Sequence, residues 1–160
     1  MADVDNKKEI DRVYKQLSAH ADLVYSFVTT YDRYINEKHN YGIGEDISMV
    51  EVHTLTMIAD NPGITVSELS KMWNRTKGAV SQNITKLKEK GLIESRQSSE
   101  DARKSYLYAT EEGEKLSTAH KMYDNLDIMA TQQELLQHCS MEELNAFYKV
   151  LDIYLHLFDD

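Results

Sequence analysis

The sequence predicts a mainly α-helical chain carrying one small two-stranded β-hairpin. Three observations point there. A single Pro and six Gly stand among 160 residues, too few breakers for a many-stranded or disordered chain. Apolar residues in the long N-terminal run recur at steps of three and four, the helical period, not at steps of two. Ser or Thr followed three residues on by Glu, a helix-start signature, occurs at Ser48 and Glu51, Thr65 and Glu68, and Ser140 and Glu143.

In chain order, Ile10, Tyr14, Leu17, Ala21, Val24, Val28, Tyr31 and Ile35 form an a/d stripe uninterrupted by Gly or Pro. A long amphipathic helix is therefore expected to end before Tyr41-Gly42-Ile43-Gly44, and its stripe needs a partner surface. Ser48 and Glu51 open a helix carrying Val52, Leu55, Ile58 and Ala59 that stops at Asn61-Pro62-Gly63. Thr65 and Glu68 start a short helix from Val66 to about Trp73, with Val66, Leu69 and Met72 on one face.

After a turn at Asn74-Arg75, Thr76 caps a third helix reaching about Lys90, with Val80, Ile84 and Leu87 inward and Gly91 at its end. Two helices joined so closely read as a helix-turn-helix. Leu92 to Arg96 and Ser105 to Ala109 read as strands flanking a polar tip from Gln97 to Lys104, a wing-like hairpin. Thr110 caps a helix through Leu116, Met122 and Leu126 towards Leu136, and Ser140 with Glu143 opens the last one, through Leu144, Phe147, Leu151, Tyr154, Leu155 and Phe158. The predicted architecture is a winged helix-turn-helix at 46–113, between helical segments at 1–45 and 114–160.

The formal net charge of −9 looks hostile to nucleic acid, yet its distribution reverses that impression. Thr65 to Ala109 holds nine basic and five acidic residues, leaving nine basic and 22 acidic ones for the rest. A basic centre between acidic ends is the local footprint that contact with phosphate requires.

The lone Cys139 excludes an internal disulfide and any paired-Cys metal or redox motif. No stretch resembles a signal peptide or approaches the roughly 18 apolar residues of a membrane span, so a cytoplasmic protein is expected. No nucleotide-binding glycine loop, nucleophile elbow or zinc-protease motif occurs, and an enzyme is not expected. No cofactor is implied. Histidines occur at 20, 39, 53, 120, 138 and 156, but no pair stands at ligand spacing along one helix, and no metal ligands are assigned.

Taken together, ITVSELSKMWNRTKGAVSQNITKLKEKGLIESRQSSEDARKSYLYATEEGEKL, from Ile64 to Leu116, resembles the MarR family of bacterial transcriptional regulators. The resemblance lies in the ELSK helix, in AVSQNITKLKEKGLI entering a strand, in Asp101 and Arg103 as a D-x-R wing, and in Thr110 and Gly113 as a T-x-x-G junction. It implies a homodimer with interlocked terminal helices, presenting two winged modules to a pseudo-palindromic operator. The residues agree independently, because the N-terminal stripe (Leu17, Val24, Val28) and the last helix (Leu151, Tyr154, Phe158) offer more apolar surface than one small module covers.

With Val80, Ile84 and Leu87 inward, the opposite face of the third helix shows Lys77, Ser81, Gln82, Thr85 and Lys86. Gln82 suits bidentate pairing with adenine, Ser81 suits either base type, and the lysines suit guanine edges or phosphate; the alternative is a merely solvated face. Arg75 and Thr76 stand where helix N-terminal amides attract phosphate. The resemblance makes Arg103 a minor-groove residue, Asp101 its orienting partner and Lys104 a phosphate neighbour; otherwise Asp101 and Arg103 are an ordinary surface ion pair.

The resemblance further implies a ligand pocket between the dimer helices and the winged module, answering to aromatic or phenolic acids, metals or oxidants. Tyr25, His53 and Met57 are its candidates, against the alternative that they are simple core. Cys139 reads as a quiet thiol. The expected function is a repressor released by a small-molecule effector. Its alternatives are an activator, a winged-helix protein-interaction module without specific DNA binding, and an oxidant- or metal-responsive regulator of the same fold.

Overall fold

The structure, a computed structural model, describes residues 2–99 and 104–157. Among them the order is α1 (Ala2–Asn36), β1 (Lys38–His39), β2 (Ile47–Ser48), α2 (Met49–Asp60), α3 (Val66–Met72), α4 (Lys77–Glu89), β3 (Ile93–Gln97), β4 (Ser105–Ala109), α5 (Glu111–Leu135) and α6 (Met141–Leu157). The mainly α architecture with a two-stranded wing is the one the sequence predicts.

Local chemistry sets most boundaries. Ser48 and Glu51, and Thr65 and Glu68, form reciprocal capping boxes, each hydroxyl accepting from the third amide while the Glu carboxylate accepts from the cap amide. Ser140 and Glu143 repeat the arrangement at α6. The end of α4 is a Schellman motif: Gly91 takes φ +68, its N–H donates to the Lys88 carbonyl, and the Leu92 N–H donates to that of Leu87.

β3 and β4 pair antiparallel from Ile93 opposite Ala109 to Gln97 opposite Ser105. Ile64 adds a bridge to Leu107, so the chain before α3 is tied to the wing's base. Behind these elements lies one core built from Val52, Leu55 and Ile58 of α2, Leu69 of α3, Val80, Ile84 and Leu87 of α4, and Ile93, Leu107 and Leu116. Each large aliphatic buried there contributes about 1.5–3 kcal/mol. Thr110 closes the unit: its hydroxyl donates to the Gly91 carbonyl at 2.8 Å and accepts from the Gly113 amide at 3.2 Å.

Three details depart from expectation. α1 ends at Asn36, and Lys38–His39 pairs with Ile47–Ser48 across a turn in which Gly42 (φ +81) and Gly44 (φ +71) take the left-handed conformation. Two-residue strands show no periodicity to read. Second, β3 is shifted one residue onwards from the expected Leu92 to Arg96. Third, Met72 is exposed, because α3 is only about two turns long, ends at Met72 and buries mainly Leu69.

Outside this core the helices are bare. Leu17 and Tyr14 of α1 are each 69% exposed, and Leu126 of α5 is 71% exposed. Val24, Val28, Leu151 and Tyr154 are exposed as well, while Phe158 lies outside the described residues. No helix among the described residues is long and apolar enough to cross a membrane.

Candidate nucleic-acid interface and the histidine cluster behind it

The turn between α3 and α4 is fixed before any side chain reaches outward. Asn74 adopts φ +45, a conformation Asn tolerates better than most residues. Ser70 brackets the next residue, its hydroxyl donating to the Arg75 carbonyl and its own carbonyl accepting the Arg75 N–H at 3.0 Å. The Arg75 guanidinium lies 5.0 Å from the centre of the Trp73 ring, a cation–π arrangement. Thr76 then caps α4, its hydroxyl accepting from the Ala79 amide.

On α4, Val80 and Leu87 are fully buried and Ile84 nearly so, which leaves Lys77, Ser81, Gln82, Thr85 and Lys86 exposed along one face. The Thr85 hydroxyl donates to the Ser81 carbonyl. Buried Asn83 donates to the Thr54 hydroxyl at 3.5 Å and so joins α4 to α2. Arg75 is half-buried; Thr76 and Lys104 are exposed. The Ser98 N–H donates to the Lys104 carbonyl just below the wing tip. Asp101 and Arg103 lie outside the described residues.

Lys86 has a partner within the chain that spacing did not reveal. Glu51 of α2 is 4% exposed, with Lys90 Nζ at 3.5 Å and Lys86 Nζ at 3.6 Å. Burial pushes its carboxyl up, but the Ser48 amide, the two lysines and the Ser48 hydroxyl together hold the pKa below the ordinary value. The capping carboxylate of α2 is thus also a brace on the C-terminal half of α4. A cleft of about 620 Å³ opens beside it, lined in part by Lys38, Ile47, Lys90 and Leu116.

The expected effector residues lie elsewhere. Tyr25 is 72% exposed on α1, Met57 packs against the core, and none of Tyr25, His53 and Met57 lines that cleft. His53 instead joins a cluster. Its ring stacks on Trp73 at 6.3 Å, and the His120 ring of α5 stands 4.7 Å away. Asp124 Oδ2 lies 3.4 Å from His53 Nε2 and 3.2 Å from His120 Nε2. Tyr41 covers His120 edge-on, and burial first, then Asp124 and neighbouring tyrosines, pushes the Tyr41 hydroxyl up to about 12. Burial likewise lowers the pKa of His120 against the pull of Asp124.

The donor set of this cluster fits a divalent cation. Its ligand atoms lie within 4.8 Å of one another, and a tetrahedral cation with bonds of about 2.0–2.1 Å separates neighbouring ligand atoms by about 3.4 Å. His53 Nε2 is buried and has no hydrogen-bond partner. Spacing along one helix could not find this trio, since His53 comes from α2 and Asp124 is a carboxylate one turn after His120. Cys139 stays apart, half-buried after α5 with its thiol donating to the Leu135 carbonyl.

Residues 45–104 match the model of the MarR family. The chain is 29% identical over 121 residues to YhjH of Bacillus subtilis, an uncharacterized HTH-type transcriptional regulator, covering 73% of this chain and 68% of that one. Among solved structures, FabT of Streptococcus pneumoniae in complex with DNA superposes with a TM-score of 0.62 at 26% identity, covering 91% and 98% of the two chains. ZitR of Lactococcus lactis, a zinc-responsive member of the same family, superposes with a TM-score of 0.65 at 19% identity, covering 89% and 99%; at that identity it attests the shared fold alone.

Proposed function

We propose that this chain is a DNA-binding transcriptional regulator of the MarR family, whose model it matches over residues 45–104, and that it acts as a cytoplasmic homodimeric repressor of a pseudo-palindromic operator, released when a small effector binds. The carrying observation is the row Lys77, Ser81, Gln82, Thr85 and Lys86, exposed on a helix whose opposite face is buried and whose N-terminus is fixed by Thr76. Such a helix enters a major groove without rearranging its own module. Gln82 and Ser81 read base edges, Lys77, Lys86 and Lys104 neutralise phosphate or reach guanine, Thr85 packs at the groove wall, and Arg75 and Thr76 hold phosphate at the helix start. Arg103 reaches the minor groove with Asp101 orienting it.

Exposed area supports the dimer. The chain exposes 11972 Å², whereas a compact monomer of 18.5 kDa exposes about 8,200 Å². An excess of that order is what obligate interfaces cover. Segments 1–45 and 114–160, through Leu17, Val24, Val28, Leu151, Tyr154 and Phe158, supply the interface, leaving 46–113 to each DNA half-site. Selection of bound sequences from random duplex DNA tests the reading: two inverted half-sites about one helical turn apart support it, and absence of any enriched site refutes it.

A phenolic acid near Tyr25, His53 and Met57 is one effector. The convergence of His53, His120 and Asp124 favours a second reading, in which the effector is a divalent cation that strengthens operator binding instead of releasing it. Two imidazoles and a carboxylate suit zinc, whose contribution when bound is a fixed bond network between α2 and α5. The residues themselves already lie within reach of one another, so little backbone movement is required.

A further inference from the structure

We infer that Trp73 is a positioning residue that carries the state of the His53, His120 and Asp124 cluster to Arg75, and so to the affinity for DNA. The inference rests on the divalent-cation reading above and adds its route of regulation. The contacts are continuous. Asp124 Oδ2 lies 3.4 Å from His53 Nε2, the His53 ring lies 6.3 Å from the Trp73 ring with an interplanar angle of 12°, and the Arg75 guanidinium lies 5.0 Å from the Trp73 centroid. This line starts on α5, crosses α2 and ends in the turn of the helix-turn-helix.

Its members differ in freedom, and that difference gives the line a direction. The Arg75 backbone is pinned at both its N–H and its carbonyl by Ser70, so only its side chain is left to adjust, and that side chain rests on Trp73. The His53 side chain is 41% exposed and its Nε2 makes no hydrogen bond, so its ring is held mainly by the Trp73 stack. Coordination through Nε2 fixes that ring. A fixed ring holds the indole stacked on it, and a held indole narrows the orientations open to the guanidinium. Ordering a phosphate-binding side chain before DNA arrives lowers the entropy lost on binding. The two sites then share a coupling free energy, with a response of about fivefold or more in affinity.

Trp73 is the only tryptophan of the chain, so its emission reports on this step directly. The experiment has three readouts on the full-length protein: zinc binding by competition with a chromophoric chelator, Trp73 emission during zinc titration, and operator Kd with and without zinc. Wild type should bind zinc, change its emission in step with that binding, and lower its operator Kd at least about fivefold; a Kd that rises or stays the same would contradict the relay. His53→Ala should abolish the emission change. Trp73→Leu should bind zinc as wild type does while its Kd responds less than about twofold, and Trp73→Phe, which keeps a flat ring for His53 and Arg75, should restore most of the response. If wild type takes no zinc from the chelator, the cation reading fails and the inference falls with it. If zinc binds but emission stays flat, or Trp73→Leu responds in full, the relay alone is wrong.

Discussion

A β-carbon on Gly113 would stand 2.1 Å from the backbone carbonyl oxygen of Leu92 and 3.1 Å from Leu55 Cδ1. Neither neighbour has room to retreat, because that carbonyl accepts the Thr110 N–H and Leu55 is fully buried. The closeness of α5 to the base of the wing thus depends on the missing side chain. Gly113→Ala is expected to lower stability by about 2–3 kcal/mol, the upper part of the range for overpacking, since backbone must move. Thermal unfolding followed by circular dichroism measures it, and an unchanged Tm would mean that α5 does not sit so close.

Glu51 makes a second prediction. Its pKa is held below the ordinary 4.5, so its contribution is present above that value and is lost as pH falls through the lower, folded one. Wild type should therefore destabilise on acidification below about pH 4.5 more steeply than Glu51→Gln, with the two curves converging at the acid end. At neutral pH, Glu51→Gln should cost about 1–3 kcal/mol by leaving Lys90 without its charge partner. Urea melts across pH 3–7 decide the matter.

On the DNA face, Gln82→Ala and Lys77→Ala should fail in different ways. Removing a bidentate base contact costs about 1–3 kcal/mol and relaxes discrimination at one base pair. Removing a phosphate contact weakens all sequences alike and reduces the salt slope by about one. Fluorescence anisotropy on the operator and single-base variants, repeated over a salt series, separates the two. Matching losses for both variants on every sequence would contradict the assignment.

The bare apolar faces give a fourth. Val24→Asp with Leu151→Asp places charge in the expected dimer interface while leaving the core from Val52 to Leu116 untouched. Sedimentation equilibrium should show wild type as a dimer and the double variant shifted to monomer, with loss of operator affinity. A monomeric wild type would overturn the dimer outright.

Legibility in the sequence tracks locality. Each capping box is written in four consecutive residues and its geometry closes within one turn, so Ser48, Thr65 and Ser140 announced their helices correctly, as did Thr76 and the Gly91 stop. The inward and outward faces of α4 followed from one period. What the sequence hid was made by elements meeting: His53 and His120 belong to different helices, Glu51 doubles as a cap and as the partner of Lys86 and Lys90, and β1 and β2 are too short to carry a pattern. The stack of His53, Trp73 and Arg75 was hidden for the same reason.

The central claim, that an exposed row on α4 inserts into duplex DNA, is tested most directly by operator anisotropy with wild type and Lys77→Ala/Gln82→Ala across a salt series. The account predicts saturable wild-type binding at two chains per duplex that falls steeply with salt, and a double variant at least about tenfold weaker. Equal binding by the two proteins, or no wild-type binding even at low ionic strength, would contradict it.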